Sequence, residues 1–132
     1  MVILDTNILV CLFAGDDARQ MARAVKFIES AGERNEPMLV LDLVFAETLW
    51  VLSSATHLPK ESVVQAAEAL LGDGRFTFEN PERLVQAIGL YSEQRVDFTE
   101  AYATASAFEL SARGVASFDH DMKKMPVKWI EP

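Results

Sequence analysis

Five carboxylates stand where their neighbours make a plain surface role awkward. Asp5 ends the apolar run Met1-Val2-Ile3-Leu4, and Glu47 sits among Val44, Phe45, Ala46, Thr48, Leu49 and Trp50. Asp97 and Glu100 open an alanine-rich segment, and Asp119 closes Val115-Ala116-Ser117-Phe118. A short apolar run of this kind reads as a buried strand of a parallel sheet. Residues just past the carboxyl end of such a strand face the crevice where open α/β sheets bind ligands. Asp5 and Asp119 are therefore expected at one edge, delivered by two strands. If four such groups converge, each like-charge pair at 4 Å costs about 4 kcal/mol at an effective dielectric near 20. A hard cation removes that cost, and oxygen-only ligands suit Mg²⁺ or Mn²⁺. The chemistry this allows is activation of a bound water as a nucleophile.

Each acid also has a plainer reading. Asp5 could cap the helix that follows it, although Thr6 or Asn7 could do so equally well; a charge at a buried strand end argues for function. Asn7 either caps or holds an acid by a hydrogen bond. The segment around Glu47 has almost no polar face, and a buried glutamate needs a partner. Asp97 and Glu100, three apart, share one side of a helix, but acids in a first turn also complement the helix dipole. Asp119 and Asp121 flank His120 in an expected loop, projecting to one side. His120 reads as a metal or substrate contact or as an exposed residue, and His57 as a loop residue. Lys123, Lys124, Lys128 and Arg95 read as solvated charge or as contacts to a phosphate backbone. Trp50 and Trp129 read as core or interface.

The elements that must position these groups alternate. The pattern predicts a helix over Thr6 to Ala14 closed by Gly15, then one capped by Asp16 or Asp17 and running to about Ala31. Met21, Ala24, Val25 and Ile28 fall at core spacing in the latter, with Gly32 as its stop. Met38 to Leu41 reads as a strand, and Asp42 as the cap of the helix carrying Glu47. Pro59 begins a helix to Leu71, and Gly72-Asp73-Gly74 is a turn signal. Phe76-Thr77-Phe78 alternates as a strand, and Asn80-Pro81 opens a helix through Tyr91. A helix from about Thr99 to Ala112, stopped by Gly114, precedes the strand at 115–118. Val127 to Ile130 adds a weaker strand. The alternation predicts a three-layer α/β sandwich around a mostly parallel sheet.

At 132 residues the chain is expected to be one domain over 1–132. The strand beginning at Met1 leaves no room for a secretory leader, and the apolar stretch from Ile8 to Ala14 is too short to cross a bilayer. A lone cysteine, Cys11, forms no internal disulfide; it reads as a core residue of a cytoplasmic protein. The net charge of −8 argues against nucleic-acid binding through phosphate neutralisation, unless bound cations cancel several acids. No Gly-rich phosphate loop, Cys/His zinc spacing or nucleophile elbow is present.

In order, Leu4-Asp5-Thr6-Asn7, Glu47, Asp97-Phe98-Thr99-Glu100-Ala101 and Ser117-Phe118-Asp119-His120-Asp121 resemble the PIN-domain ribonucleases, and the compact form resembles the VapC toxins of toxin–antitoxin pairs. The resemblance implies that Asp5, Glu47, Asp97 or Glu100, and Asp119 are catalytic, with Asp5, Asp97 and Asp119 holding Mg²⁺ or Mn²⁺. Asn7, Ser117 and Asp121 support them. Where the family usually has aspartate before the alanine, this chain has Glu100, so either Glu100 or Asp97 takes that role. The resemblance further implies an RNA substrate, a homodimer and a VapB-type antitoxin. The alternatives are a PIN-like protein-binding scaffold with a weakened site, and a phosphate-handling domain of phosphatase or receiver type; Asn7 stands where such a phosphatase wants an aspartate.

Overall fold

Parallel pairing accounts for every strand in the computed structural model, which describes residues 1–132. The chain forms two compact units, Met1–Glu79 and Asn80–Pro132, with six α-helices between them. This is the α/β fold with parallel strands expected from the alternation of strand and helix.

The first unit runs β1 (Val2–Ile3), α1 (Thr6–Ala14), α2 (Ala18–Glu33), β2 (Met38–Val40), α3 (Asp42–Ser54), α4 (Lys60–Gly72) and β3 (Phe76–Phe78). The sheet order is β1-β2-β3, with Ile3 opposite Leu39 and Leu39 opposite Thr77. Parallel neighbours require a crossover, and two helices fill each one. All three strands therefore end at the same edge, at Leu4-Asp5, Leu41-Asp42 and Glu79. Beneath them lies a core of Leu4, Leu9, Ile28, Met38, Val40, Phe45, Leu52, Val63 and Leu70, all essentially excluded from solvent. Helix α1 packs on both α2 and α3.

The second unit runs α5 (Pro81–Glu93), α6 (Phe98–Glu109), β4 (Val115–Ala116), a 3-10 helix (His120–Lys124) and β5 (Trp129–Ile130). Pro81 opens α5 at the position where its missing N–H is no loss. Helices α5 and α6 pack together, and the alanines at 101, 105 and 107 on the buried side of α6 permit a close approach. Arg83 clamps the pair: its guanidinium donates to both carboxylate oxygens of Glu109 at 2.9 Å and to the Tyr102 hydroxyl at 3.1 Å. β4 and β5 pair in parallel, Val115 opposite Trp129.

Several sequence expectations are corrected. β1 is not buried on both faces: Leu4 is buried, but Ile3 is 55% exposed on the opposite face of an edge strand. Met21 of α2 is exposed as well, so the core stripe is narrower than the apolar spacing suggested. Gly32 lies inside α2. That helix ends at the next residue, Glu33, because Asn35 adopts the left-handed conformation (φ 52°), with Asn35 N–H donating to the Gly32 carbonyl and Glu36 N–H to that of Ala31. Likewise α6 stops at Glu109, not Ala112, because Ser111 (φ 51°) closes it the same way. Gly114 serves a different end: a Cβ there would lie 2.3 Å from the Lys128 carbonyl oxygen, so glycine lets the two segments meet. β4 ends at Ala116, leaving Phe118 exposed, and the expected loop after it is the 3-10 helix. No helix is long and apolar enough to cross a membrane.

Candidate active site

In the first unit, Asp5 occupies the N-cap of α1 in extended backbone geometry, yet its side chain makes no capping hydrogen bond. The carboxylate is exposed, which corrects the expectation of a charge at a buried strand end. The next residue supplies the link across the unit. Thr6 is buried, and its hydroxyl donates to Glu47 Oε2 at 2.7 Å. Glu47 itself is exposed. Its helix is apolar nearly all round, but Leu43, Glu47 and Trp50 share the outward face while Val44, Phe45, Thr48, Leu49 and Leu52 turn inward. The apolar neighbours therefore never implied burial, and Trp50, 67% exposed, is not a core residue.

Asp42 is not the cap of α3; Leu41 holds that place and Asp42 is the first helical residue. The free N–H of Asp42 is satisfied from the end of β3, where Glu79 Oε1 accepts it at 2.7 Å. An acid thus completes the helix start from 37 residues away. Asn7 lies on the exposed side of α1 and lines a groove between α1 and α2.

In the second unit Asp97, Glu100 and Asp119 come together pairwise. Asp97 caps α6, accepting from the Glu100 N–H at 2.8 Å, and Glu100 Oε2 accepts from the Asp97 N–H at 3.2 Å. This is a capping box, in which each acid satisfies a backbone donor of the other. Glu100 also shares a hydrogen bond with Asp119. Partial burial is the main force that pushes the Glu100 carboxyl above its ordinary range. The Asp97 N–H opposes this, and the negative charges of Asp97 and Asp119 together with the Asp119 hydrogen bond add to it.

Asp119 is held by its own turn. Its N–H donates to Ser117 Oγ at 3.0 Å, and its carboxylate accepts from the Asp121 N–H at 2.8 Å. The Ser117 carbonyl accepts from Trp129 Nε1 at 2.8 Å, which ties this turn to β5. Asp121 turns to Lys124 Nζ at 2.8 Å instead of projecting beside Asp119. That cation holds its carboxyl below the usual range, with Arg95 contributing less. Lys123 sits over the Trp129 ring at 4.7 Å, and His120 packs on the same ring. Of the basic residues near the chain's end, Lys123 and Lys124 are exposed and also make these local contacts.

No group of three or more His, Cys, Asp or Glu has the spacing to hold a metal ion as it stands. The donor chemistry is nonetheless that of a hard cation. All the candidates are carboxylates, and the charges of Asp97 and Asp119 that add to the effect of burial at Glu100 are of the kind a divalent ion offsets. Two residues escaped the sequence reading: Thr6, taken as a helix start, and Glu79, not singled out. A hydroxyl immediately after Asp5 was the available signal for Thr6; nothing local marked Glu79.

No curated protein matches the chain. The PIN domain family matches residues 2–128, from the start of the first strand to the residue before the last strand. A PIN domain is a nuclease-type fold, and the family typically uses divalent metals. The chain belongs to the PIN domain family.

Proposed function

We propose that this protein is a divalent-metal-dependent endoribonuclease, acting as a VapC-type toxin paired with a VapB-type antitoxin in the cytoplasm, with residues 1–132 working as one domain. Family membership over residues 2–128 supports the nuclease reading. The metal requirement is supported by the family, which typically uses divalent metals, and by the capping box that sets Asp97 and Glu100 side by side with Asp119 near Glu100. Asp5, Glu47, Asp97, Glu100 and Asp119 are the catalytic acids, with Asp5, Asp97 and Asp119 as the ligands of Mg²⁺ or Mn²⁺. When bound, such an ion lowers the pKa of a water and offsets charge on the phosphodiester.

The protein's own groups do the rest. Thr6 fixes Glu47 through Oε2, which leaves Oε1 to accept a proton from the attacking water. Ser117 fixes the backbone of Asp119, and Asn7, two residues beyond Asp5 on the exposed side of α1, is the supporting polar residue. Asp97 and Glu100 each give one oxygen to the capping box, and Glu100 also lies beside Asp119, so either acid can take the third position and the shorter Asp97 is the preferred ligand. Leu43 and Trp50, exposed on one ridge of α3, suit the interface of a homodimer.

A second reading is a PIN-like scaffold that binds a protein partner. It is favoured by the capping box, which commits oxygens of both Asp97 and Glu100 to backbone donors. Incubation with structured RNAs in Mg²⁺ or Mn²⁺ separates the two. Metal-dependent products with the wild type, lost in Asp5→Asn, support the nuclease. An absence of such products on every RNA supports the scaffold.

A further inference from the structure

The cavity between α1 and α2 differs in charge from the rest of the molecule. It encloses about 650 Å³ in the first unit and carries Arg23, Lys26 and Arg34 without a single acidic residue in its lining. That contrast is sharp in a chain with 20 acids against 12 cations. Arg34 is paired with Glu36 at 2.9 Å. Arg23 and Lys26 have no ion pair, and both are exposed.

The order along α2 is informative. Arg23, Phe27, Ser30 and Arg34 fall at helical spacing on one stripe, with Lys26 beside it. The stripe spans the 12 residues from Arg23 to the C-cap Arg34, roughly 16 Å along the helix axis. Phe27 is 40% exposed, although the core of the unit lies one turn away at Ala24, Ile28 and Ala31. A cation, an aromatic face, a hydroxyl and a second cation in line match the repeat of a single strand, in which phosphate and base alternate. The far wall is α1, where Asn7 lines the groove two residues beyond Asp5.

We infer that this groove binds the phosphodiester backbone of single-stranded RNA, with Arg23 and Lys26 on phosphates and a base stacked on Phe27, and that it leads the strand toward Asp5. The inference rests on the ribonuclease reading. Two unpaired cations disfavour a basic peptide and favour a polyanion, and the exposed ring favours one that carries bases.

Binding is read apart from cleavage by using a 2′-O-methylated RNA oligonucleotide, labelled with a fluorophore, in EDTA. Arg23→Ala with Lys26→Ala is expected to weaken binding at least tenfold and to lower the slope of log K against log salt by about 1.4, for two phosphate contacts. Phe27→Leu, which keeps the bulk, is expected to weaken binding about fivefold with the salt slope unchanged, since stacking carries no counterion release. Arg19→Ala removes a charge from the same helix outside the groove and is expected to bind as wild type. Circular dichroism melts show whether each variant is folded.

Equal losses for Arg19→Ala and Arg23→Ala overturn the inference, because net charge alone then explains them. Wild-type RNA binding by the double variant also overturns it. So does loss of a labelled oligoglutamate peptide with RNA binding intact, which assigns the groove to an acidic protein segment. A wild type that neither binds nor cleaves any RNA brings down the nuclease reading itself, whereas a double variant that binds and cleaves normally removes only the groove.

Discussion

The Thr6 hydroxyl donates to Glu47 Oε2 at 2.7 Å, joining the first residue of α1 to the middle of α3 across 41 positions of sequence. The donor is buried and the acceptor is exposed, so the bond holds a surface carboxylate from below. Its loss leaves Thr6 without its partner and Glu47 free to rotate. Thr6→Val, similar in volume but unable to donate, is expected to lower stability by about 1 kcal/mol. Thr6→Ser is expected to restore most of it. Urea unfolding measures both. Under the nuclease reading, Thr6→Val also slows RNA cleavage while Thr6→Ser does not; a loss of stability with cleavage unchanged confines Thr6 to a structural part.

Glu100 gives the pH dependence a definite sign. Its carboxyl is raised above the ordinary 4.5 by partial burial, with the charges of Asp97 and Asp119 and a hydrogen bond to Asp119 adding to the effect. The folded state therefore holds this proton at a pH where the unfolded chain has released it. The resulting stabilisation is complete below 4.5 and is lost as pH rises through the raised value. Glu100→Gln keeps an acceptor for the Asp97 N–H but cannot ionise. Urea midpoints measured from about pH 4 to pH 8 are expected to fall with pH in the wild type, beyond any slope shared with the variant. At neutral pH Glu100→Gln is then the more stable protein. Parallel curves for the two proteins disprove the assignment.

What the sequence made legible was local. Pro81 and Asn80 marked the start of α5, Asp17 marked that of α2 by accepting from the Arg19 and Gln20 N–H groups, and the alternation of elements marked the fold class. Helix ends were less legible, since Asn35 and Ser111 take left-handed conformations while the glycines nearby do not. The order of acids pointed to the family, but the hydroxyl that holds Glu47 lies far off along the chain. Neither the Thr6–Glu47 bond nor the Asp42–Glu79 bond leaves any periodic trace. Exposure misled the reading in the same way. The apolar residues around Glu47 divide between a buried face and a bare one, and composition cannot tell them apart.

Two of the glycines taken from sequence as helix stops, Gly32 and Gly114, are expected to respond in opposite directions. Gly32 is helical, and nothing lies within 4 Å of where its Cβ would be. Gly32→Ala removes conformational freedom from the unfolded chain and adds no clash, so it is expected to stabilise by about 0.5–1 kcal/mol. A Cβ at Gly114 meets the backbone oxygen of Lys128 at 2.3 Å, and backbone beside a strand pair cannot swing away. Gly114→Ala is expected to destabilise by about 2 kcal/mol. Thermal melts of the two single variants check both signs.

Cation binding is expected to stabilise the folded protein, and Asp5 offers a clean way to test its source. The Asp5 carboxylate caps nothing, so Asp5→Asn removes a charge without removing a structural bond. Asp17 is the matched control, because its side chain caps α2 through two backbone donors that asparagine can also satisfy. Mg²⁺ or Mn²⁺ at a hundredfold excess over its Kd contributes about 2.7 kcal/mol. For a domain of this size that raises the melting temperature by roughly 8 °C. Asp17→Asn is expected to keep the whole rise and Asp5→Asn to lose most of it. Equal rises in both variants mean that the ion acts through diffuse charge on an acidic surface, and Asp5 is then no ligand.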